Sequence, residues 1–391
     1  MISVPQALQL VHDHTKKTEN ITTLPIIKAL GHVIVSDIIS PIHMPPFRQS
    51  AMDGYALGSI EEDNFILSGE IKAGDIENPN IKKGEAIRIF TGAPVPPSAK
   101  AVIMQEKVTV SGNQISTQGS VSLHANIRPI GEQIKKGDIA LPKGTLITAA
   151  GIGYLATLGI TTVTVYQKPS IAIITTGNEL IPPGQSLLHG QIYESNSAML
   201  QGACTQSGFS NITCYKVVDE YTATIDLIRD TIENHDVILI SGGISVGDYD
   251  FVGKALRALA VEEVFYKVKQ KPGKPLYFAK KQEKIIFALP GNPASSLSCF
   301  YIYVLPALLK TCGNTHSSTK RGTAISNTNY SKKGERAEFL KAIISENNVT
   351  ILDGQASSML RSFSVANAMV YLPEEVSNVE IGDPVQIVNL P

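Results

Sequence analysis

The spacing of apolar positions along the chain changes character several times, and each change predicts a different kind of element. At the start, Ser3 followed by Gln6 reads as a capping box ahead of a short helix that turns Leu8 and Val11 inward. From Pro41 to Pro142 the pattern becomes short apolar runs, such as Ile87 to Phe90 and Ala101 to Met104, cut by turns rich in Gly, Pro and Asn. This predicts a mostly β module. Residues 148–159 (TAAGIGYLATLG) return to helical spacing, and the β-branched TTVTVY behind them predicts a strand leading to Lys168-Pro169.

From Ser170 to about Cys312 the two periods alternate. The order is IAIIT (171–175), a helix near 196–207 closing at Gly208, and a β-branched run to Val218. A helix with Ile225, Ile228 and Ile232 on one side follows, then VILIS (237–241), a helix near 251–260, IIFAL (285–289) and a helix from about Ala294. Buried strands separated by helices predict an α/β domain with a mostly parallel sheet covered on both faces. After Gly313 the runs AISN, FLKAII, VTIL, MVYL and PVQIVN predict a small β barrel or sandwich. The pattern breaks fall near 42, 141, 169 and 316.

Composition narrows the setting. The 391 residues carry 34 basic and 35 acidic side chains, a net charge of -1, which argues against a nucleic-acid-binding tail and against a disordered acidic tract. The most apolar run, Phe300 to Leu309, contains a proline and falls short of the roughly 18–20 residues of a membrane span. The start lacks the basic and apolar regions of a secretory signal, and the four cysteines form no CxxC pair. The expectation is a soluble cytoplasmic protein that acts on a small molecule, with no nucleic-acid or membrane partner.

Three strands of the α/β region run directly into glycine-rich loops: IAIITTGNEL (171–180), VILISGGISVGDYD (237–250) and IIFALPGNPASS (285–296). Ligands of open parallel sheets bind outside the carboxyl ends of the strands, so these loops are expected to share one crevice. Gly242, Gly243 and Gly247 let the backbone approach a phosphate, and the pattern is neither a dinucleotide fingerprint nor a P-loop. Asp248 and Asp250 are spaced to hold Mg²⁺ beside a pyrophosphate, or equally to cap the next helix. Lys267, Lys269, Lys271 and Lys274 form a local positive patch suited to an anion, or the solvated side of an edge strand. In the β-rich stretch, Arg48, Asp53 and Thr91 stand in proline- and glycine-bounded loops, where turn-stabilising hydrogen bonds compete with ligand binding. No hydrolase triad or zinc signature is present.

In order along the chain, PPFRQSAMDGYA, RIFTGAPVPPSAKAVIMQE, NIRPIGEQIKKGDIAL, TTGNEL, GQIYESNSAML, SGGISVGDYDFV, KPGKP and LPGNPASS strongly resemble the molybdopterin molybdenumtransferase (MoeA) family, shared with the C-terminal domain of gephyrin. The resemblance spans the whole chain. It implies an enzyme of molybdenum cofactor biosynthesis that takes adenylylated molybdopterin and molybdate and releases AMP in the presence of Mg²⁺. It implies four parts: an elongated domain from 1–42 and 141–168, an inserted β-rich domain over 43–140, an α/β molybdopterin-binding domain over 169–316, and a β barrel over 317–391. It also implies a homodimer whose active site lies between the α/β domain of one subunit and the inserted domain of the other, and an adenylyltransferase as the partner that makes the substrate.

Carried over by position, the resemblance assigns catalytic roles to Asp53, Thr91, Glu179, Asp219, Asp250, Lys267 and Lys271. It assigns ligand binding to Ser241, Gly242, Gly243, Ser245, Gly247, Lys274, Pro290, Gly291, Asn292 and Pro293, and Mg²⁺ to Asp250, Asp248 and Glu179. The lysines would neutralise two anions that must meet, and the carboxylates would hold the metal. Two positions depart from the family: Gly131-Glu132-Gln133 has an amide where an acid is usual, and Asn178 replaces the acid of GDEL. The alternatives are an adenylyltransferase acting one step earlier, which shares the α/β domain, and a non-catalytic scaffold of the gephyrin kind.

Overall fold

A computed structural model describes residues 1–244, 251–314 and 321–391. The chain folds into two compact units. One comprises Met1–Thr22, Gly31–Val33 and Val165–Pro391, and the other Thr23–Leu30 and Ile34–Thr164.

The first unit opens with α1 (Val4–His14). Its capping box forms as the sequence predicts: Gln6 N–H donates to Ser3 Oγ (3.3 Å) and Ser3 N–H to Gln6 Oε1 (3.0 Å). Val4, Ala7 and Val11 are buried, with Leu8 packed at the margin.

The second unit holds a six-stranded sheet of β1 (Gly54–Leu57), β2 (Asn64–Ile71), β3 (Glu85–Ile89), β4 (Ala101–Met104), β5 (Val108–Ser111) and β6 (Gln114–Thr117), in the order β4-β1-β3-β2-β6-β5. Only β2 and β3 run parallel. Strand alternation sends Ala56, Ile87 and Ile89 to one apolar cluster and Tyr55, Leu57 and Phe65 to another. At Gly54 a Cβ would stand 1.9 Å from the carbonyl oxygen of Ile103, so only glycine admits β4 this closely. Helix α2 (Ala149–Thr157) starts where Thr148 Oγ1 accepts from Gly151 N–H (3.1 Å).

The central sheet of the first unit contains β7 (Ile171–Thr176), β8 (Ile212–Val217), β9 (Val237–Ser241), β10 (Glu262–Tyr266), β11 (Tyr277–Lys281) and β12 (Lys284–Leu289), ordered β8-β7-β9-β12-β11-β10. β8, β7, β9 and β12 are parallel. β11 and β10 are antiparallel additions that the alternation of apolar runs does not reveal. The reason is local: Gln282, with φ 57°, and Glu283 turn the chain between β11 and β12, and so short a connection permits only antiparallel pairing.

Helices α3 (Asn196–Gln206), α4 (Tyr221–Asn234), α5 (Phe251–Ala258), α6 (Pro293–Cys299) and α7 (Leu305–Thr311) cover this sheet, the last two joined by a π-helical segment, Phe300–Val304. Ile171, Ile173, Leu239 and Phe287 pack with Leu200 and Phe300 on one face. Ala172, Ile174, Ile238 and Ile240 pack with Ile228 and Leu256 on the other. The continuous helix Pro293–Thr311 has a mean hydropathy of 1.2, and 67% of it is buried, so its apolar length is spent in the core.

The C-terminal strands β13 (Arg321–Ser326), β14 (Ala337–Ser345), β15 (Asn348–Ile351), β16 (Ala368–Leu372) and β17 (Pro384–Asn389) close into a barrel in the order β14-β15-β13-β17-β16-β14. Leu340, Val349, Val370 and Ile387 fill it. A two-residue strand, Gln270–Lys271, pairs in parallel with Ala337–Glu338 at the start of β14.

Candidate functional site

The carboxyl ends of β7, β9 and β12 open on one cleft of about 740 Å³. All three glycine-rich loops reach it, as the strand pattern predicts: Glu179 follows the first, Ser241, Gly242 and Gly243 form the second, and Pro290, Gly291, Asn292 and Pro293 the third. Asp219, beyond β8, completes the wall.

The loops interlock. Asn196, at the start of α3, donates from Nδ2 to Ser241 Oγ (2.8 Å) and to the Gly291 carbonyl (2.7 Å), tying the second loop to the third. Gly291 lies against Gly242, its absent Cβ 3.7 Å from the Gly242 Cα. Gly242 itself has φ 97°, and a Cβ there would meet the Thr176 carbonyl oxygen at 2.7 Å. The glycine requirement therefore comes first from loop-on-loop packing, a constraint that precedes any phosphate.

The charge of the described lining is one-sided. Glu179, Glu194 and Asp219 contribute carboxylates, and no lysine or arginine is among the described lining residues. Asp219 Oδ1 accepts the Thr176 hydroxyl, its Oδ2 accepts Asn178 N–H (3.3 Å), and its own N–H donates to Asn178 Oδ1 (3.1 Å). Asn178 thus supplies the acceptor that an acid would, without a second negative charge beside Asp219. Glu194 Oε1 accepts Ser197 N–H (3.0 Å) and its Oε2 accepts the Ser197 hydroxyl.

The lysine turn stands beside the cleft, with Pro275 as its lining residue. Lys271 Nζ pairs with Glu338 Oε1 at 3.0 Å. Glu338 is 1% exposed and also accepts the Tyr330 hydroxyl at 2.6 Å. Lys267, at φ 72°, places its ammonium 4.5 Å from the centre of the Tyr266 ring. Lys274 is exposed, and its carbonyl accepts the N–H groups of Val268 and Leu276, each at 3.0 Å.

In the second unit, Asp53 and Thr91 form a tight pair: Asp53 Oδ1 accepts both the N–H and the hydroxyl of Thr91 at 2.7 Å. Those two bonds, with Arg88 nearby, hold the Asp53 carboxyl below its ordinary pKa. Arg48 serves its own turn, donating to the carbonyls of Pro96, Pro97 and Ala99 at 2.9–3.3 Å. Gln133 is exposed and its N–H donates to the Met44 carbonyl (2.9 Å), so that loop closes through its backbone.

Ser245, Gly247, Asp248 and Asp250 lie outside the described residues. Among the described residues no group of three His, Cys, Asp or Glu side chains converges as a protein cage for a metal. Glu179 on the cleft wall fits Mg²⁺ as it usually meets protein, through one or two carboxylates with the rest of its shell from phosphate and water.

Thr176, Glu194, Asn196 and Ser358 also line the cleft and had not been singled out from the sequence. An acid followed by Ser-Asn at a helix start, in GQIYESNSAML, was the available signal for two of them. Ser358 comes from the C-terminal barrel region and has no local signal.

Three family models match the chain: the MoeA N-terminal region (domain I and II) over residues 2–159, a probable molybdopterin binding domain over 172–310, and the MoeA C-terminal region (domain IV) over 323–390. A molybdopterin molybdenumtransferase of Staphylococcus epidermidis is 32% identical over 402 residues, covering 99% of this chain and 95% of its own. One of Staphylococcus aureus is 30% identical over 400 residues, with the same coverage. Among solved structures, the molybdopterin biosynthesis MoeA protein of Pyrococcus horikoshii superposes over 100% of both chains with a TM-score of 0.85 at 28% identity.

Proposed function

The chain belongs to the molybdopterin molybdenumtransferase family, and on that premise we propose that its glycine-loop cleft is where adenylylated molybdopterin receives molybdenum. It is a transferase of molybdenum cofactor biosynthesis. The observation that carries the site assignment is the convergence of three strand-end loops with Glu179 and Asp219 on a single cleft.

In this reading the loop N–H groups at Gly243 and Gly291 face the pyrophosphate of the adenylylated pterin, while that of Gly242 is donated to the Leu289 carbonyl at 3.3 Å. Ser241, Asn292, Pro290 and Pro293 shape the cleft around it. Glu179, with Asp248 and Asp250, would hold Mg²⁺, which when bound would supply the positive charge that an acidic wall lacks. Asp219, fixed by Thr176 and Asn178, orients the first loop and presents a carboxylate for proton handling as molybdate loses oxygen. Lys267, Lys271 and Lys274 hold the incoming molybdate anion against its repulsion from phosphate. Asp53 and Thr91 complete the site from the second subunit of a homodimer, and an adenylyltransferase delivers the substrate in a cytoplasmic setting.

The deciding experiment mixes purified protein with adenylylated molybdopterin, molybdate and Mg²⁺, and follows AMP release together with reconstitution of a cofactor-free molybdoenzyme. Both signals are expected, and both vanish when molybdate is omitted. Adenylylation of molybdopterin from ATP would instead support the earlier step, and tight binding without turnover the scaffold. Asp250→Ala is expected to lower turnover severely with its Mg²⁺ dependence altered and its fold intact; full activity with unchanged Mg²⁺ dependence removes the metal assignment. Mixing Asp53→Ala with Asp219→Ala subunits is expected to restore about a quarter of parental activity, because half the dimers then carry one intact site. No recovery on mixing rules out the shared site.

A further inference from the structure

The lysine turn is supported from below by a polar side chain where the pattern calls for an apolar one. Gln270 is 0% exposed and sits within the apolar core. Burying an amide there is costly unless its hydrogen bonds are made. They are made: Nε2 donates to the Gly273 carbonyl (3.1 Å) and lies 3.6 Å from Cys299 Sγ, and Oε1 accepts the Tyr303 hydroxyl. Its main-chain N–H donates to the Val268 carbonyl (2.8 Å), and its carbonyl accepts Arg336 Nη1 (3.2 Å).

Tyr303 is also 0% exposed, and it belongs to the π-helical segment between α6 and α7. Pro306 lacks the N–H that would bond the Ile302 carbonyl in an α-helix, so the helix is relieved of one regular bond at this point. The wider turn that results re-aims the side chains it carries. Burial keeps the Tyr303 hydroxyl protonated, its pKa well above the ordinary tyrosine value, so it remains a donor. Above the pair, Gly273 has φ 84°, and a Cβ there would stand 2.5 Å from Cys299 Sγ and 3.0 Å from Gln270 Nε2. The turn therefore rests on the helix without clearance, and the hydroxyl, amide and carbonyl form one relay from the π segment to the main chain of the turn.

We propose that Tyr303 and Gln270 are a positioning pair that sets the Lys271-Pro272-Gly273-Lys274 turn and, through it, the affinity of the cleft for its anionic substrates. This rests on the reading that the turn faces an anion. Neither residue touches substrate. The pair acts by fixing Gly273, while Glu338 fixes Lys271 from the barrel side.

The test measures KM for molybdate and for adenylylated molybdopterin, kcat, and thermal stability. Tyr303→Phe leaves Gln270 Oε1 buried without its donor, and KM is expected to rise about tenfold with kcat within about twofold of the parent. Tyr303→Phe combined with Gln270→Leu removes the unsatisfied amide, so melting temperature is expected to rise above that of the single variant while KM stays high, because the Gly273 carbonyl has now lost the Gln270 donor and keeps only the Cys299 thiol at 3.8 Å. Recovery of KM along with stability means a purely structural pair and overturns the proposal. If Tyr303→Phe alone does not fold, the double variant carries the test. In a Lys271→Ala and Lys274→Ala background, Tyr303→Phe is expected to add no further rise in KM, and an equal, independent rise again overturns it. An inactive parent defeats the functional reading. An active parent with Tyr303→Phe at parental KM defeats only the positioning pair.

Discussion

The two ends of the central sheet contrast in how they use charge. At the amino ends, a pocket of about 350 Å³ is lined by Lys16, Lys17 and Lys168 and by Glu19, Asp236 and Glu283. Its lysines are engaged with the protein: Lys16 with Glu283 (2.9 Å), Lys17 with the Tyr166 hydroxyl (2.8 Å) and Lys168 with the Gly208 carbonyl (2.7 Å). Asp236 likewise accepts the N–H and hydroxyl of Ser170. At the carboxyl ends, Glu179, Glu194 and Asp219 form no ion pair among the described residues, and their neighbours are glycines, amides and hydroxyls. A concentration of charge is thus a poor guide to function. What separates the ends is the balance of sign: the amino-end pocket mixes lysines with carboxylates, one pair of them a salt bridge, whereas the described carboxyl-end lining carries carboxylates alone.

That contrast can be broken by exchange of the groups responsible. Asp219→Ala should produce the largest effect, lowering AMP release about 10²-fold, because the cleft loses a carboxylate and the nearly buried Thr176 hydroxyl loses its acceptor. Asp219→Asn, which keeps an acceptor, separates the two causes: stability should be regained and turnover should not.

Gly242→Ala should follow, since φ 97° costs an L-residue about 1–2 kcal/mol and the new methyl meets the Thr176 carbonyl oxygen. A melting temperature lower by several degrees with weakened substrate binding is the expected readout. At the opposite end, Lys168→Met should leave turnover within about twofold and move stability by less than about 1 kcal/mol. A large loss of activity would make the amino-end pocket functional and dissolve the contrast.

The pH dependence is set by the core around both ends. Burial raises the thiols of Cys204, Cys299 and Cys312 from 9.0 to about 12. A group whose pKa is higher in the folded state keeps its stabilising contribution below the unfolded value and loses it as pH climbs through the folded one. Thermal denaturation from pH 8 upward should therefore show stability falling as pH passes about 9, the unfolded thiol value. The smallest effect concerns labelling. Cys214 is the exposed cysteine of the four, so native protein at neutral pH should take up one alkylating group and denatured protein four.

Much of the α/β unit was legible in the sequence, because buried parallel strands read as unbroken apolar runs and each of the three runs into a glycine-rich loop. IAIIT, VILIS and IIFAL all stand where periodicity put them, and the Ser3–Gln6 capping box closed as read. What escaped was non-local. The lysines of KVKQKPGKP alternate like a strand, yet the segment contributes only Gln270–Lys271 to a sheet, because its hydrogen-bond partner lies some 67 residues away on β14. The antiparallel edge of the sheet was the exception, hidden by a local feature, a two-residue turn with no glycine to announce it. Among site residues, motifs pointed to Glu179, Ser241 and Gly291. The helix start at Asn196 also had a motif, whereas its bridge between two loops and the place of Ser358 depend on which loops meet in space.

The pairing of Gln270–Lys271 with the first residues of β14 bears on how this protein can be recombined. A chimaera that takes the barrel of a relative but keeps the native α/β part would separate Lys271 from Glu338, unzip the short parallel pairing, and cut an apolar cluster that Phe339, Met369 and Tyr371 of the barrel share with Phe300 and Tyr301 of the α/β part. The transferable module is the barrel together with the lysine turn. Hybrids that exchange residues 270–274 together with 321–391 should work where hybrids that exchange 321–391 alone do not.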